Sequence, residues 1–333
     1  MKQLSIIIPI YNVEKYVFEC VDSIFRQGLD EDVFEVIIVN DGTEDKSMVA
    51  IGELISTHHN ITVLNQENQG LSVARNNGMA IATGEYIFMP DSDDLLFDNS
   101  LKTVLELALS TKADIVVTDF IQMNDNEIMA IRGKHPVQKD IVSTETTGPD
   151  LLTKELTMWY WRSLYKRSFL LDNNICFVPG IYSQDVPFTN ECFLKAKKCI
   201  RTSWKTMIYR HGHDSVSIRF SLRKARDRCV AIAKIWELAK TDNLSPTLQQ
   251  KQNDIVYWHF RLLIKSTTYG HLNSMKEMLE VVDYLKLIAP DLHFNNGMEQ
   301  SLWSIMFNKM PHLLIYLNYI FEQARKKIRK IIH

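Results

Sequence analysis

One pattern governs the first 120 residues: short apolar runs that end abruptly in polar residues alternate with stretches of helical spacing. Leu4–Ile8 is the first such run, closed by Pro9; Phe34–Val39, Ile61–Leu64, Tyr86–Met89 and Asp114–Asp119 follow. Aliphatic and β-branched runs of this length, bounded by turn formers, suit strands covered on both faces. Between them, Val13 to Gln27 places Val17, Val21, Ile24 and Phe25 on one helical face. Asp45 to His58, Leu71 to Ala82 (ended by Gly84) and Leu101 to Leu109 also read as helices. Strands alternating with helices predict a doubly wound α/β sheet, whose ligands bind beyond the carboxyl ends of the strands.

Polar clusters stand at those ends: Tyr11 and Asn12, Asn40 and Asp41, Asp91 and Asp93. Each alone is ordinary turn chemistry; three together point to a polar ligand. Asp91-x-Asp93 puts two carboxylates in one tight turn. Hard cations such as Mg²⁺ or Mn²⁺ take oxygen ligands, commonly one or two carboxylates plus substrate phosphates. Acidic turns also occur without a metal. An EF-hand reading fails, because Leu96 holds the place that needs Gly. Neither GxGxxG nor GxxxxGK[ST] occurs, so a nucleotide is not held by the common glycine loops.

Composition limits the rest. The 333 residues are 46% hydrophobic and 23% charged, which suits a globular chain of one large or two ordinary domains. A net charge of −2 gives no field that would attract nucleic acid. Five scattered Cys without metal spacing suggest reduced thiols and a cytoplasmic protein. The N-terminus lacks secretory character, and no apolar stretch is long enough to span a membrane. Residues 120 to 155 read as a loop-rich connection and Trp159 to Asp172 as a helix. Helical periodicity takes over from 221, which sets a boundary near Phe220.

Four segments in order carry a resemblance: Ser5–Asn12 (SIIIPIYN), Val36–Thr43 (VIIVNDGT), Asn68–Gly78 (NQGLSVARNNG) and Gly84–Asp94 (GEYIFMPDSDD). Together they resemble family 2 glycosyltransferases of bacterial polysaccharide synthesis. The likeness implies a GT-A, Rossmann-like fold with a mostly parallel central sheet, a catalytic domain over 1–220 and a helical region over 221–333. It further implies an inverting transfer from a UDP-sugar to a hydroxyl of a saccharide or lipid-linked acceptor, with Mn²⁺ or Mg²⁺ as cofactor. Pro9, Tyr11, Asn12 and Asp41 would form the uridine pocket. Gly70, Leu71 and Arg75 would line the donor site, with Arg75 pairing with Asp91 or touching the diphosphate; a plain helix-surface role also suits it. Asp93 would be the main metal ligand, Asp91 would touch ribose or metal, and Ser92 lies between them in the donor site.

The resemblance also implies a general base in Tyr182–Phe188 (YSQDVPF), where Asp185 fits. Gln184 stands where the family usually has Glu, which removes a like charge beside Asp185. Asp185 is equally suited to cap the helix that follows. Downstream, Tyr209–Ser217 (YRHGHDSVS) matches a loop that closes over the donor in related enzymes, which makes Arg210, His211 and His213 candidates, His213 as a metal ligand. Trp159 and Trp161 would stack on a sugar face or lie in the core. The aromatic-aliphatic run Leu313–Phe321 and the basic tail from Arg325 suit an interfacial helix, an amphipathic helix packed on its own domain, or a homodimer contact. Two rival readings stand beside this one. A nucleotidyltransferase would carry a glycine-rich basic loop after the first strand, where Pro9–Lys15 (PIYNVEK) stands. A non-catalytic nucleotide-sugar-binding protein is the other, prompted by Gln184.

Overall fold

A computed structural model describes residues 2–131, 138, 141–154, 159–212, 221–240, 244–267, 274–294 and 302–332. The chain forms two compact units, one of residues 1–180 and 188–214, the other of 181–187 and 215–333.

In the first unit, strands β1 (Leu4–Ile10), β2 (Phe34–Asp41), β3 (Ile61–Gln66) and β4 (Tyr86–Phe88) form the parallel half of a sheet in the order β3-β2-β1-β4. All seven residues of β1 are buried, which is why its sequence runs apolar without alternating. β1 and β2 pair from Leu4↔Phe34 to Ile10↔Asn40. Their polar exits at 11–12 and 40–41 therefore emerge side by side.

Two glycines let layers meet. A Cβ on Gly78 would lie 2.4 Å from Ile7 Cγ2, so the helix Leu71–Ile81 rests directly on β1. A Cβ on Gly84 would lie 2.5 Å from the Ser5 backbone nitrogen, and the Gly84 N–H donates to Ser5 Oγ at 2.8 Å.

Beyond β4 the sheet departs from simple alternation. β5 (Leu95–Leu96), β6 (Ile115–Met123), β7 (Ser143–Thr146), β8 (Ser163–Lys166) and β9 (Cys199–Arg210) complete the order β4-β8-β6-β9-β5, with β7 on β9. β8 is antiparallel to both β4 and β6. The long β6–β9 ladder is parallel, with irregularities around Asp119. The expected helix over Trp159–Asp172 is instead a 3₁₀ turn (Tyr160–Arg162), strand β8 and the helix Arg167–Asp172. The segment read as loop-rich holds the end of β6, the helices Asp125–Ile131 and Gly148–Lys154, and β7. Asp45 to His58 is two short helices, Ser47–Ala50 and Gly52–Thr57.

The described part of the second unit beyond 220 is helical: Leu222–Ala239, Pro246–Ser266, Met275–Ile288, Leu302–Lys309 and Pro311–Ile332. Ser221, Ser245 and Ser274 cap the first three, each side chain accepting a backbone N–H three residues on. Ile232, Phe260, Leu263, Val281, Leu285 and Phe307 are fully buried among these helices, each contributing about 1.5–3 kcal/mol of apolar burial. Phe220 lies outside the described residues.

Candidate active site

The acidic turn follows β4 immediately and is held on both sides. Asp91 Oδ1 accepts from Arg75 Nη2 and from the Tyr160 hydroxyl, each at 2.5 Å. Arg75 is fully buried, and its guanidinium lies 4.6 Å from the centroid of the Tyr160 ring and 5.3 Å from that of Phe177. Ionic hydrogen bonding and cation–π contact thus fix one carboxylate oxygen of a partly exposed Asp91. Of the two partners left open for Arg75, the structure places Asp91; the helix-surface role is excluded by burial. Tyr160, hidden between two tryptophans in the sequence, is a site residue that the sequence reading missed.

The other end of the turn is held from β9. The Arg210 backbone N–H donates to Asp94 Oδ1 at 2.9 Å, and its Nε donates to the Asp93 carbonyl at 2.9 Å. Its Nη2 reaches Glu19 at 2.7 Å, and Nη1 pairs with Asp125. Arg210, one of the candidates of the loop expected to close over the donor, is a buried clamp on the acidic loop. Asp94 is pushed well above the usual carboxylate range, first by burial and then by repulsion from Asp93 and Asp91. Burial also raises the Tyr209 hydroxyl, with further contributions from Asp94, Asp93 and Asp91.

Tyr209 belongs to an aromatic cluster. Its ring stacks on Trp161 (5.4 Å between centroids); Trp161 neighbours Trp159 (5.9 Å) and Phe120 (4.9 Å). Trp161 is buried and is core; Trp159, Phe120 and Tyr209 are half-buried.

On the nucleotide side, the loops after β1 and β2 are latched. The Asn12 backbone N–H donates to Thr43 Oγ1 at 2.8 Å, and Asn12 Oδ1 accepts from Glu44 N at 3.2 Å. Asn12 takes up a left-handed backbone (φ 52°), a conformation that Asn tolerates. Asp45 accepts from Glu14 N at 2.9 Å and from the Ser47 hydroxyl at 2.5 Å. Burial alone would raise the Asp45 carboxyl; the hydrogen bonds from Ser47, Glu14 and Thr43 outweigh it and leave its pKa below the ordinary value. Pro9 is buried in β1 opposite Val39, while Tyr11 is exposed.

Asp41 is buried and accepts from Gln66 Nε2 (2.7 Å), Gln69 N (2.8 Å) and Gly70 N (2.9 Å). Oδ2 receives one of the three bonds and keeps acceptor capacity. Gly70 has φ 85° and ψ 164°, a region closed to residues with a Cβ, and it starts the helix that carries Leu71, which is exposed, and Arg75. In the same helix Asn76 exchanges two bonds with the Phe177 backbone (2.8 and 2.9 Å), and Asn77 donates to Gln66 at 2.8 Å. The run Arg75-Asn-Asn-Gly78 is therefore spent on the acidic turn, the 177 segment, the Asp41 network and close helix–sheet packing.

Asp185 is the first residue of the helix Asp185–Lys195. Within the second unit it lies in the field of Arg228, and the Tyr182 N–H three residues earlier donates to Asp227 at 3.3 Å. The Tyr182 ring sits 5.4 Å from the Arg223 guanidinium and 5.1 Å from Lys224 Nζ.

His213 lies outside the described residues. His211 is exposed, with Nε2 4.0 Å from Glu127. Among the described residues no three His, Cys, Asp or Glu side chains are arranged as a protein-only metal cage. The turn instead offers hard oxygen donors with crowded negative charge, as the raised Asp94 shows. That donor set fits a divalent cation shared with a diphosphate.

Residues 5–173 match the family model described as Glycosyl transferase family 2. The chain is 32% identical over 217 residues to the uncharacterized glycosyltransferase EpsJ of Bacillus subtilis (strain 168), covering 64% of this chain and 62% of EpsJ, somewhat less than two thirds of that relative's length. Among solved structures, S. aureus TarS 1–349 in complex with UDP-GlcNAc superposes with a TM-score of 0.72 at 18% identity, covering 98% of this chain and 92% of that one. The mannosyltransferase PcManGT from Pyrobaculum calidifontis, in complex with GDP-Man and Mn²⁺, gives 0.56 at 15% identity, over 96% and 87% of the two chains. The likeness bears out the GT-A fold expected from the sequence.

Proposed function

The chain belongs to glycosyl transferase family 2, and from that premise we propose that it is an enzyme moving a sugar from a UDP-sugar to a hydroxyl of a saccharide or lipid-linked acceptor, with inversion, in cell-surface polysaccharide synthesis. The observation that carries this is the acidic turn at the exit of β4, gripped by Arg75 and Tyr160 on one side and Arg210 on the other. Residues 1–220 are the catalytic domain in this reading, and 221–333 an attached helical region that contacts a membrane or a second copy. The enzyme works in the cytoplasm.

Each group then has a task. Tyr11, Asn12 and the remaining acceptor capacity of Asp41 receive the uracil, at the mouth of loops held rigid by Thr43 and Asp45. Arg75 and Tyr160 keep Asp91 in one orientation, so no reorganisation is needed when the donor enters. Asp91 and Asp93, with His213, would hold Mn²⁺ or Mg²⁺, which when bound supplies neutralising charge to the departing diphosphate. Asp185 takes the acceptor proton as the hydroxyl attacks. Asp185 stands in the first turn of the helix Asp185–Lys195, with the neutral Gln184 beside it. A TarS complex with UDP-GlcNAc supports the uridine donor, and the PcManGT complex with Mn²⁺ supports the cation.

The test pairs binding with turnover. UDP and UDP-sugars should raise the melting temperature of the wild type only when Mn²⁺ or Mg²⁺ is present, in a concentration-dependent way. Asp185→Asn should keep that response and lose transfer and donor hydrolysis. Uptake of UDP that ignores the cation would remove the site assignment. Equal absence of turnover in both proteins would favour a binding module.

A further inference from the structure

The helix Pro311–Ile332 has two different faces. Leu314, Ile315 and Asn318 are buried against the second unit, and His312 meets Asp283 at 2.6 Å. The opposite face is also apolar, and it is open. Leu313, Tyr316, Leu317, Ile320 and Phe321 are 40%, 52%, 45%, 45% and 65% exposed. Their spacing of three and four residues makes one continuous stripe. Soluble surfaces seldom carry such a stripe without something to cover it.

The sequence indicates what that cover is. After Glu322 the chain holds Arg325, Lys326, Lys327, Arg329 and Lys330 and no acidic residue, although the whole chain carries a net charge of −2. Ile328, Ile331 and Ile332 continue the apolar spacing among these cations. An apolar face that ends in a dense basic run matches the two layers of an anionic bilayer surface, acyl chains below and acidic headgroups above. Tyr316 adds a ring with a polar tip, the residue type favoured at headgroup depth. No helix among the described residues is long and apolar enough to cross a membrane, so this one would lie in the surface plane.

We propose that the outer face of Pro311–Ile332 is a docking surface for anionic lipid, with Leu313, Tyr316, Leu317, Ile320 and Phe321 inserted and the basic run on the headgroups. The inference does not depend on the sugar chemistry. The full chain is sedimented with vesicles of phosphatidylcholine alone and of phosphatidylcholine mixed with phosphatidylglycerol, over a salt series. Binding should need phosphatidylglycerol and weaken steeply with salt. Leu317→Asp with Phe321→Asp should abolish it. Replacing Arg325, Lys326 and Lys327 by Gln should lower the partition about fivefold per charge removed. Leu317 and Phe321 are exposed, and circular dichroism melting checks that the fold of each variant persists. Should either variant not fold, the lipid and salt series on the wild type decide. Equal binding to neutral vesicles, or none to either, overturns the proposal. So does a wild-type dimer in sedimentation velocity that Leu317→Asp dissociates while vesicles are ignored; the face then belongs to a second copy.

Discussion

Removing the guanidinium behind the acidic turn tests the geometry of the site most directly. In Arg75→Met the chain loses the bond to Asp91 Oδ1 and the cation over the Tyr160 and Phe177 rings. Breaking a fully buried ion pair costs about 3–5 kcal/mol. Arg75 is 1% exposed but Asp91 is 30% exposed, so water compensates part of the loss, and we expect ~2–3 kcal/mol. For a unit of this size that lowers the melting temperature by roughly 5–10 °C. Tyr160→Phe removes only one charge-assisted bond to the same oxygen and should cost ~1.5 kcal/mol. The two changes share one acceptor, so the double variant should depart from additivity by at least ~0.5 kcal/mol. Differential scanning calorimetry on the four proteins, with and without UDP and Mn²⁺, gives both the stability and the donor response. The donor-induced shift should shrink in each single variant. If Arg75→Met melts like the wild type and keeps the full donor response, the clamp has no energetic role and the reasoning fails.

Other consequences are simpler to check. Gly84→Ala should prevent stable folding, because the new Cβ would meet the Ser5 and Leu4 backbone at 2.5 and 2.6 Å, and backbone cannot yield as a side chain can; soluble yield and circular dichroism report it. Trp161→Ala should cost ~3–5 kcal/mol in urea unfolding, since the ring is buried between Phe120 and Tyr209. Asp45 holds its proton less tightly when folded than when unfolded, so its contribution is present above the ordinary carboxylate pKa. It is lost as pH falls through the lowered folded value. Asp45→Asn should accordingly show its full, pH-independent loss in the neutral region and flatten the acid limb of the melting-temperature profile, where the difference from the wild type shrinks.

The parallel half of the sheet was legible because burial on both faces writes an uninterrupted apolar run, as in Leu4–Ile10. The polar exits were legible for the same reason, since Asn12, Asp41 and Asp91 break such runs sharply. β8 was not legible: four residues inserted antiparallel between β4 and β6 are set by partners far away in sequence, and their aromatic flanks read equally well as helix. β7 is polar and mostly exposed on an edge, so periodicity carries no signal for it. At the site, Arg75 was readable as a partner of Asp91 only through the family resemblance, which left the diphosphate open as the other partner. Tyr160 was not, because nothing local distinguishes it from its tryptophan neighbours. Asp45 did leave a trace: Asp-x-Ser, here Asp45-Lys-Ser47, is the spacing at which a carboxylate accepts from the backbone two residues on.

Arg210 sits at the far end of β9, more than a hundred residues after the turn whose Asp93 carbonyl and Asp94 carboxylate it holds. A nascent chain emerging from the ribosome therefore carries all four glycosyltransferase motifs long before the strand that steadies their acidic loop has been made. Until β9 pairs with β6 and delivers its arginine, three adjacent aspartates face one another without that cation. The steadied acidic turn thus arrives late, as a property of the completed sheet, and a fragment ending at residue 173 would carry the family signature without Arg210.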